Sequence, residues 1–295
     1  MGGMFGESKY DVLRLVPENV RPRTGLFKRT NANAAIESIL TENNLNYPLI
    51  FKPDIGERGF MVRRINDATE AANYMEEMSH DFLIQEFVSL PMEFGVLYER
   101  HPSALRGRVT SVVMKEMLFV EGNGRSTLQE LILSKERAKL QWPSLQSQYR
   151  NKLDRILPAG ERLELVSIGN HSLGTKFINA NHLITDELEK SFDRISMQIP
   201  GFFFGRFDLR CGSIEDLAKG NVVILELNGC GAEPAHMYDP EFSFFRAVGV
   251  LIRHWSTIYE ISLENKRLGV DFLSLKEAVS HYQRFKKNTR SRQQS

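Results

Sequence analysis

Gly205-Arg206-Phe207-Asp208-Leu209-Arg210 and Ile224-Leu225-Glu226-Leu227-Asn228-Gly229 are the two stretches that decide the fold. Side chains two apart on a strand share a face. Arg206 and Asp208 therefore point one way. Glu226 and Asn228 likewise share a face, with Leu225 and Leu227 on the other. Residues 212–221 make a loop that can return the chain, so the two strands are expected to pair antiparallel. Asp208, Glu226 and Asn228 then converge as one oxygen-rich cluster. Two carboxylates and an amide oxygen are hard donors that suit Mg²⁺, which keeps waters and phosphate as its other ligands. Arg206 adds a planar fork for phosphate or a developing anion. Either strand alone reads more simply as a sheet face of solvated ion pairs. The two together point to a metal and phosphate site.

The rest of the chain sets the frame. It has 295 residues, 42% hydrophobic and 25% charged, enough for a full core. Thirty-eight Lys and Arg stand against 37 Asp and Glu, a net charge of +1. That balance excludes wholesale electrostatic binding to nucleic acid or acidic lipid. Two cysteines, Cys211 and Cys230, exclude a disulfide scaffold and a four-cysteine zinc site, and suit a reducing compartment. No apolar run approaches the roughly 20 residues of a membrane span. The start, MGGMFGESKYDV, lacks a secretory signal pattern. A cytoplasmic protein is expected, with a frayed basic tail from residue 284 to 295.

Strand and helix signals alternate. Residues 47–52 and 59–62 read as a hairpin across Pro53-Asp54-Ile55-Gly56-Glu57-Arg58. Residues 67–78 read as a helix capped by Asp67. Strands are expected at 82–88, 93–98, 108–114, 202–209 and 222–227. Helices are expected at 127–140, capped by Ser126, and at 185–199, capped by Thr185. Residues 242–261 suit a long buried closing helix, with Trp255 and Tyr259 packed inside. Phe202-Phe203-Phe204 reads as core, and His236 as a loop histidine. Hairpins among mixed elements argue for α+β.

Three upstream features bear on phosphate. Lys52 ends an apolar strand before Pro53 and a glycine turn, where ammonium charge and backbone N–H groups can meet a phosphate. Alone, this is an ordinary turn. Gln85-Glu86-Phe87-Val88 closes a strand and can offer backbone groups to an adenine edge; a plain edge strand with a proline break fits these residues equally. Ser167 through Lys176 reads SIGNHSLGTK, a glycine-punctuated loop suited to a lid.

Taken in order, residues 7–261 resemble an ATP-grasp enzyme of the D-alanine–D-alanine ligase-like and cyanophycin-synthetase-like group. RFDLR followed by ILELNG is similar to that family's metal-binding strands. The resemblance implies Asp208, Glu226 and Asn228 as Mg²⁺ ligands, with Mn²⁺ an alternative ion, and Arg206 as the arginine that steadies phosphate or intermediate. FKPDIGERG resembles the family's lysine-proline-glycine loop, which implies Lys52 on the phosphates. GESKYDVL resembles its first lysine, which implies Lys9. QEFVSLPMEF resembles the adenine hinge, which implies Glu86 and Phe87 at the base and Glu93 at the ribose. FVEGNGRSTLQELI and GNHSLGT resemble two further stretches of the cyanophycin-type enzymes.

The implied fold is two α+β subdomains holding ATP between antiparallel sheets. Residues 1–46 would lead in, 47–100 form the small subdomain, 101–265 the large one with the metal site, and 266–295 a terminal helix and tail. The implied activity joins a small-molecule carboxylate and an amine through an acyl-phosphate, with Lys52 and Arg206 as catalytic groups. A homodimer is possible, with no nucleic-acid partner. Members usually carry another domain before the first lysine, and this chain starts near that lysine. An inactive Mg-ATP-binding module, lacking a complete acceptor site, is therefore the alternative. The family's Asn-x-x-Pro-Gly loop reads Asn228-Gly229-Cys230-Gly231-Ala232-Glu233-Pro234, which leaves the substrate open.

Overall fold

A computed structural model describes residues 4, 6–31, 36–56, 59–166, 169, 174–280 and 282–283. The chain divides into two compact units, Met1–Met114 with Asn179–Ser295, and Lys115–Ile178.

The first unit holds two antiparallel sheets. In one, β1 (Thr24–Phe27), β2 (Leu49–Pro53), β3 (Arg63–Ile65) and β4 (Phe82–Glu86) lie in the order β1-β4-β2-β3. The expected hairpin is present, but its second strand begins at Arg63 rather than Gly59. Helices α1 (Lys9–Leu15), α2 (Ile36–Glu42) and α3 (Ala68–Glu77) accompany this sheet in the chain. Asp67 caps α3 by accepting from the amides of Thr69 and Glu70, as its position before an alanine-rich run predicts. The core is aromatic. Phe51 meets Tyr74 edge-on at 5.3 Å between ring centres, and Phe27 stacks on Phe82 at 4.7 Å.

In the second sheet β5 (Met92–Glu99), β6 (Arg108–Glu116), β10 (Phe204–Cys211) and β11 (Val222–Asn228) are neighbours in the order β11-β10-β5-β6. One face is apolar: Phe94, Val96, Phe207 and Leu209 are buried with Phe192 and Ile195 of α7 (Asp186–Met197). Thr185 caps α7 through the Leu188 amide. Between β10 and β11, α8 (Ile214–Lys219) is capped by Ser213 and ends at Gly220, whose φ of 78° only glycine adopts freely.

The second unit contains β7 (Phe119–Glu121) paired with β8 (Arg162–Glu164), and β9 (Lys176–Asn179), which leads back to the first unit. The helix expected over 127–140 is two, α4 (Leu128–Ser134) and α5 (Glu136–Lys139), followed by α6 (Trp142–Gln148). The cap is Thr127, not Ser126. Its hydroxyl accepts from the Glu130 amide while Glu130 accepts from the Thr127 amide, and this reciprocal box outcompetes the earlier serine.

The last helix, α9 (Phe244–Arg267), corrects the reading of a buried closing helix. Only His254, Thr257 and Ile261 are buried on it. Phe245 is 84% exposed, Tyr259 62% and Trp255 44%. Apolar composition over twenty residues does not distinguish a buried helix from one covered along a single stripe. Among the described residues no helix is long and apolar enough to cross a membrane.

These burials predict an asymmetry. Phe51→Ala should cost about 3–5 kcal/mol in urea unfolding, because Phe51 is fully buried. Phe245→Ala should stay within about 0.5 kcal/mol. Equal losses would contradict the assigned burial.

Candidate functional site

The site is built from three separated segments of the first unit. The β10–β11 ladder places Asp208 opposite Glu226 and Arg206 opposite Asn228. The antiparallel pairing matches the sequence reading, with one difference. The register slips after Asp208, so Leu209 pairs with Ile224 and Leu225 is the extra residue of a β-bulge. Leu225 is therefore half-buried rather than packed with Leu227 on the core face. The bulge has a use. The Leu225 carbonyl accepts from Lys52 Nζ at 3.1 Å.

Lys52 reaches that carbonyl from β2, and its ammonium also donates to Gln85 Oε1 at 3.0 Å. Lys52 is 8% exposed. Burial pushes its pKa down to about 8; the Lys9 charge adds to this, while Glu226 and Asp208 oppose it. Asp54, two residues on, explains how Lys9 arrives. Its Oδ1 accepts from Ser8 Oγ and from the Tyr10 amide, both at 2.9 Å, and its carbonyl accepts from the Lys9 amide at 3.0 Å. The first turn of α1 is thus pinned to the end of β2, and the Lys9 ammonium donates to Glu226 Oε1. Burial works against the Lys9 charge, but Glu226, Asp208 and Asp54 outweigh it, so its pKa is raised. Burial likewise works against the Glu226 charge, and Lys9 with Lys52 brings its pKa below the usual carboxylate value.

Asp208 is held from its own sheet. Its Oδ2 accepts from Arg206 Nη2 at 3.1 Å and from Asn228 Nδ2 at 2.9 Å. Arg206 also donates to the Glu233 carbonyl at 3.3 Å, which fastens the loop after β11. Across β5, Gly95 stands opposite Asp208. A Cβ there would lie 3.3 Å from both Asp208 Oδ1 and Arg206 Cδ, and 2.9 Å from Val113. The absent side chain leaves room beside the carboxylate. Among the described residues no three His, Cys, Asp or Glu side chains are grouped to hold a metal. Asp208, Glu226 and Asn228 could offer two carboxylates and an amide oxygen, hard donors of the type a small divalent ion takes. A cleft runs along this cluster, lined by Ser8, Lys9, Lys52, Glu226 and Asn228.

The hinge residues lie apart from the cluster. Glu86 ends β4 in an exposed two-point pair with Arg23, at 2.8 and 3.0 Å, which lowers its pKa. Phe87 lies under the Arg64 guanidinium, 4.3 Å from its ring centre. Glu93 is buried, and its Oε2 accepts from Arg210 Nε at 2.9 Å. That gives it a protein partner where ribose hydroxyls were expected. Arg210 also donates to the Val88 carbonyl at 2.9 Å. It thereby ties the segment between the sheets to the strand that carries Asp208. The roles of Arg210, Gln85 and Asp54 come from the structure and not from the sequence pattern. For Asp54 there was a signal, an aspartate directly after Lys-Pro, suited to capping a neighbouring turn. For the other two the partners are distant in sequence and left none. Of the glycine turn after Pro53 and the lid candidate at 167–176, Glu57, Arg58, Ser167, Ile168 and residues 170–173 lie outside the described residues.

No known family profile and no curated protein sequence matches the chain. Solved structures do. A D-alanine–D-alanine ligase from Bacillus anthracis superimposes with a TM-score of 0.50 at 12% identity, over 90% of this chain and 73% of that one. The VanG D-Ala:D-Ser ligase from Enterococcus faecalis gives 0.47 at 19% identity, over 84% and 61%. A bifunctional glutathione synthetase from Pasteurella multocida gives 0.38 at 13%, over 86% and 38%. The chain thus spans 61% of the length of the Enterococcus enzyme. At these identities the likeness is one of fold.

The buried ammonium of Lys52 gives a direct prediction. Its folded pKa of about 8 lies below the unfolded value of 10.5. Between those values the unfolded chain binds more protons, so this group makes stability rise with pH and lose that contribution as pH falls through 8. Nζ-detected NMR should show one lysine titrating near pH 8, absent in Lys52→Met. Lysines that all titrate above pH 10 would contradict the placement.

Proposed function

From an ATP-grasp fold, we propose that this protein is a Mg-ATP-dependent carboxylate–amine ligase working through an acyl-phosphate. The observation that carries the proposal is the convergence of Lys9, Lys52 and Arg206 on Asp208, Glu226 and Asn228. Lys9, Lys52, Glu226 and Asn228 line one cleft, and cations beside hard oxygens suit a polyphosphate with its metal ion.

Phosphoryl transfer needs positioning and charge neutralisation more than a protein nucleophile. Mg²⁺ or Mn²⁺, held by Asp208, Glu226 and Asn228, would neutralise phosphate oxygens when bound. Lys52, fixed by Gln85 and the bulged carbonyl, presents a directed ammonium to the phosphate chain. Lys9 supplies a second, from the start of α1. Arg206, steadied by Asp208 and the Glu233 carbonyl, meets the anion that develops as the substrate carboxylate takes the γ-phosphoryl group. The amine then attacks the acyl carbon and phosphate leaves. Adenine is assigned to the strand end at Glu86 and Phe87. Glu93 serves through Arg210, which holds the hinge against the metal strand.

Asp208→Asn and Glu226→Gln should each abolish ADP release in a screen of carboxylates and amines, with far-UV circular dichroism unchanged. Wild-type protein should gain about 2.7 kcal/mol of stability at a Mg-ATP concentration 100-fold above Kd. Undiminished turnover in both variants refutes the metal assignment. No stabilisation by Mg-ATP refutes the nucleotide site itself.

A further inference from the structure

Helix α9 turns a band of large apolar side chains to water. Phe245, Ile252 and Tyr259 recur every seven residues along its exposed face, and Val248 and Trp255 border them on one side. A fully exposed aromatic side chain carries roughly 200 Å², so Phe244, Phe245, Trp255 and Tyr259, each 44–84% exposed, leave on the order of 500 Å² uncovered. Single chains rarely leave contiguous apolar patches larger than a few hundred Å².

Small residues stand between the large ones. Gly249 and Ser256, both exposed, alternate with Phe245, Ile252 and Tyr259 in steps of four and three, the spacing of a helix-pairing seam. Leu263, half-buried, continues it. A Cβ at Gly249 would meet nothing within 4 Å. Glycine inside a helix is destabilising relative to alanine, so nothing in the described residues calls for it there. A closely packed neighbour would.

The seam is self-complementary in one orientation. With two copies of α9 antiparallel about a two-fold axis at the level of residue 254, Tyr259 faces Gly249, Ile252 faces Ser256 and Phe245 faces Leu263 of the second copy, large against smaller at every level. Arg246 then lies beside Glu260 of the second copy, twice over, because the pairing is reciprocal. Within its own chain Glu260 lies 3.9 Å from His101 Nε2, yet its side chain is 62% exposed. Arg253, on the same flank, comes near its own counterpart at the axis. A parallel pairing would set Gly249 against Gly249 and Tyr259 against Tyr259, a gap at one level and crowding at another.

We propose that this protein self-associates through α9, two copies packing antiparallel with Tyr259 and Ile252 of each seated over Gly249 and Ser256 of the other. The face lies opposite His254, Thr257 and Ile261, the buried residues of α9, and the proposal does not rest on the ligase reading. Sedimentation equilibrium of the full chain tests it, with a dimer expected at roughly 50 µM protein, since the interface is a small one. Gly249→Gln and Ile252→Glu should each weaken the dimer about tenfold. Gly249→Gln suits the monomer, so its unfolding at dilution should be no easier than that of wild type. Arg246→Glu should weaken the dimer about fivefold, adding Glu260→Arg should restore wild-type affinity, and Arg253→Gln should strengthen it. Phe245→Ala is neutral toward unfolding only at dilution, where the monomer unfolds alone. A monomer at the higher concentration, its α9 face bare or covered by another segment, would overturn the proposal, as would a Gly249→Gln variant that dimerises like wild type. Failure of the paired charge changes to restore affinity would overturn the antiparallel arrangement.

Discussion

Two carboxylates directly opposite each other on paired strands repel, and within the β10–β11 ladder Arg206 and the Asn228 amide, both donating to Asp208, ease that repulsion. The site depends on this constraint. Further relief comes from far away in sequence, through Lys9 at the start of α1 and Lys52 on β2, which lie 217 and 173 residues before their partners Glu226 and Leu225. The acidic pair holds the first helix and the first sheet against the second sheet, and the lysines in turn keep Glu226 ionised. Removing one partner would leave an uncompensated charge in a partly desolvated place and cost stability.

Support for the cluster comes from backbone devices. The bulge at Leu225 turns out the carbonyl that receives Lys52. Asp54 pins α1 by accepting from Ser8 and Tyr10. Gly95 opposite Asp208 withholds a Cβ where an ion's coordination sphere would need space. Arg210, two residues past Asp208, bonds both Glu93 and the Val88 carbonyl, so the strand bearing the acidic pair also sets the path between the two sheets.

Much of this was legible in the sequence because it is local. The two-residue period of RFDLR and ILELN gives faces and pairing, and Asp67 and Thr185 give helix starts. The bulge was not legible, since an extra residue in a β-prone run leaves no local mark and shifted only Leu225 out of phase. The burial of α9 was misread because composition counts apolar residues without saying which side is covered; Phe244 and Phe245 begin the helix exposed. The roles of Gln85 and Arg210 depend on contacts across 33 and 117 residues, which no single-segment pattern encodes.

Asp208, Glu226 and Asn228 are proposed to seat a divalent ion beside a nucleotide's phosphates. Electron paramagnetic resonance of free Mn²⁺ tests it most directly, by titrating the ion with protein in the presence of a non-hydrolysable ATP analogue. The free-ion signal should be lost in stoichiometric proportion to protein and return in an Asp208→Asn, Glu226→Gln double variant that still folds. A free-ion signal equally depleted by that variant, or untouched by the wild-type protein, would contradict it.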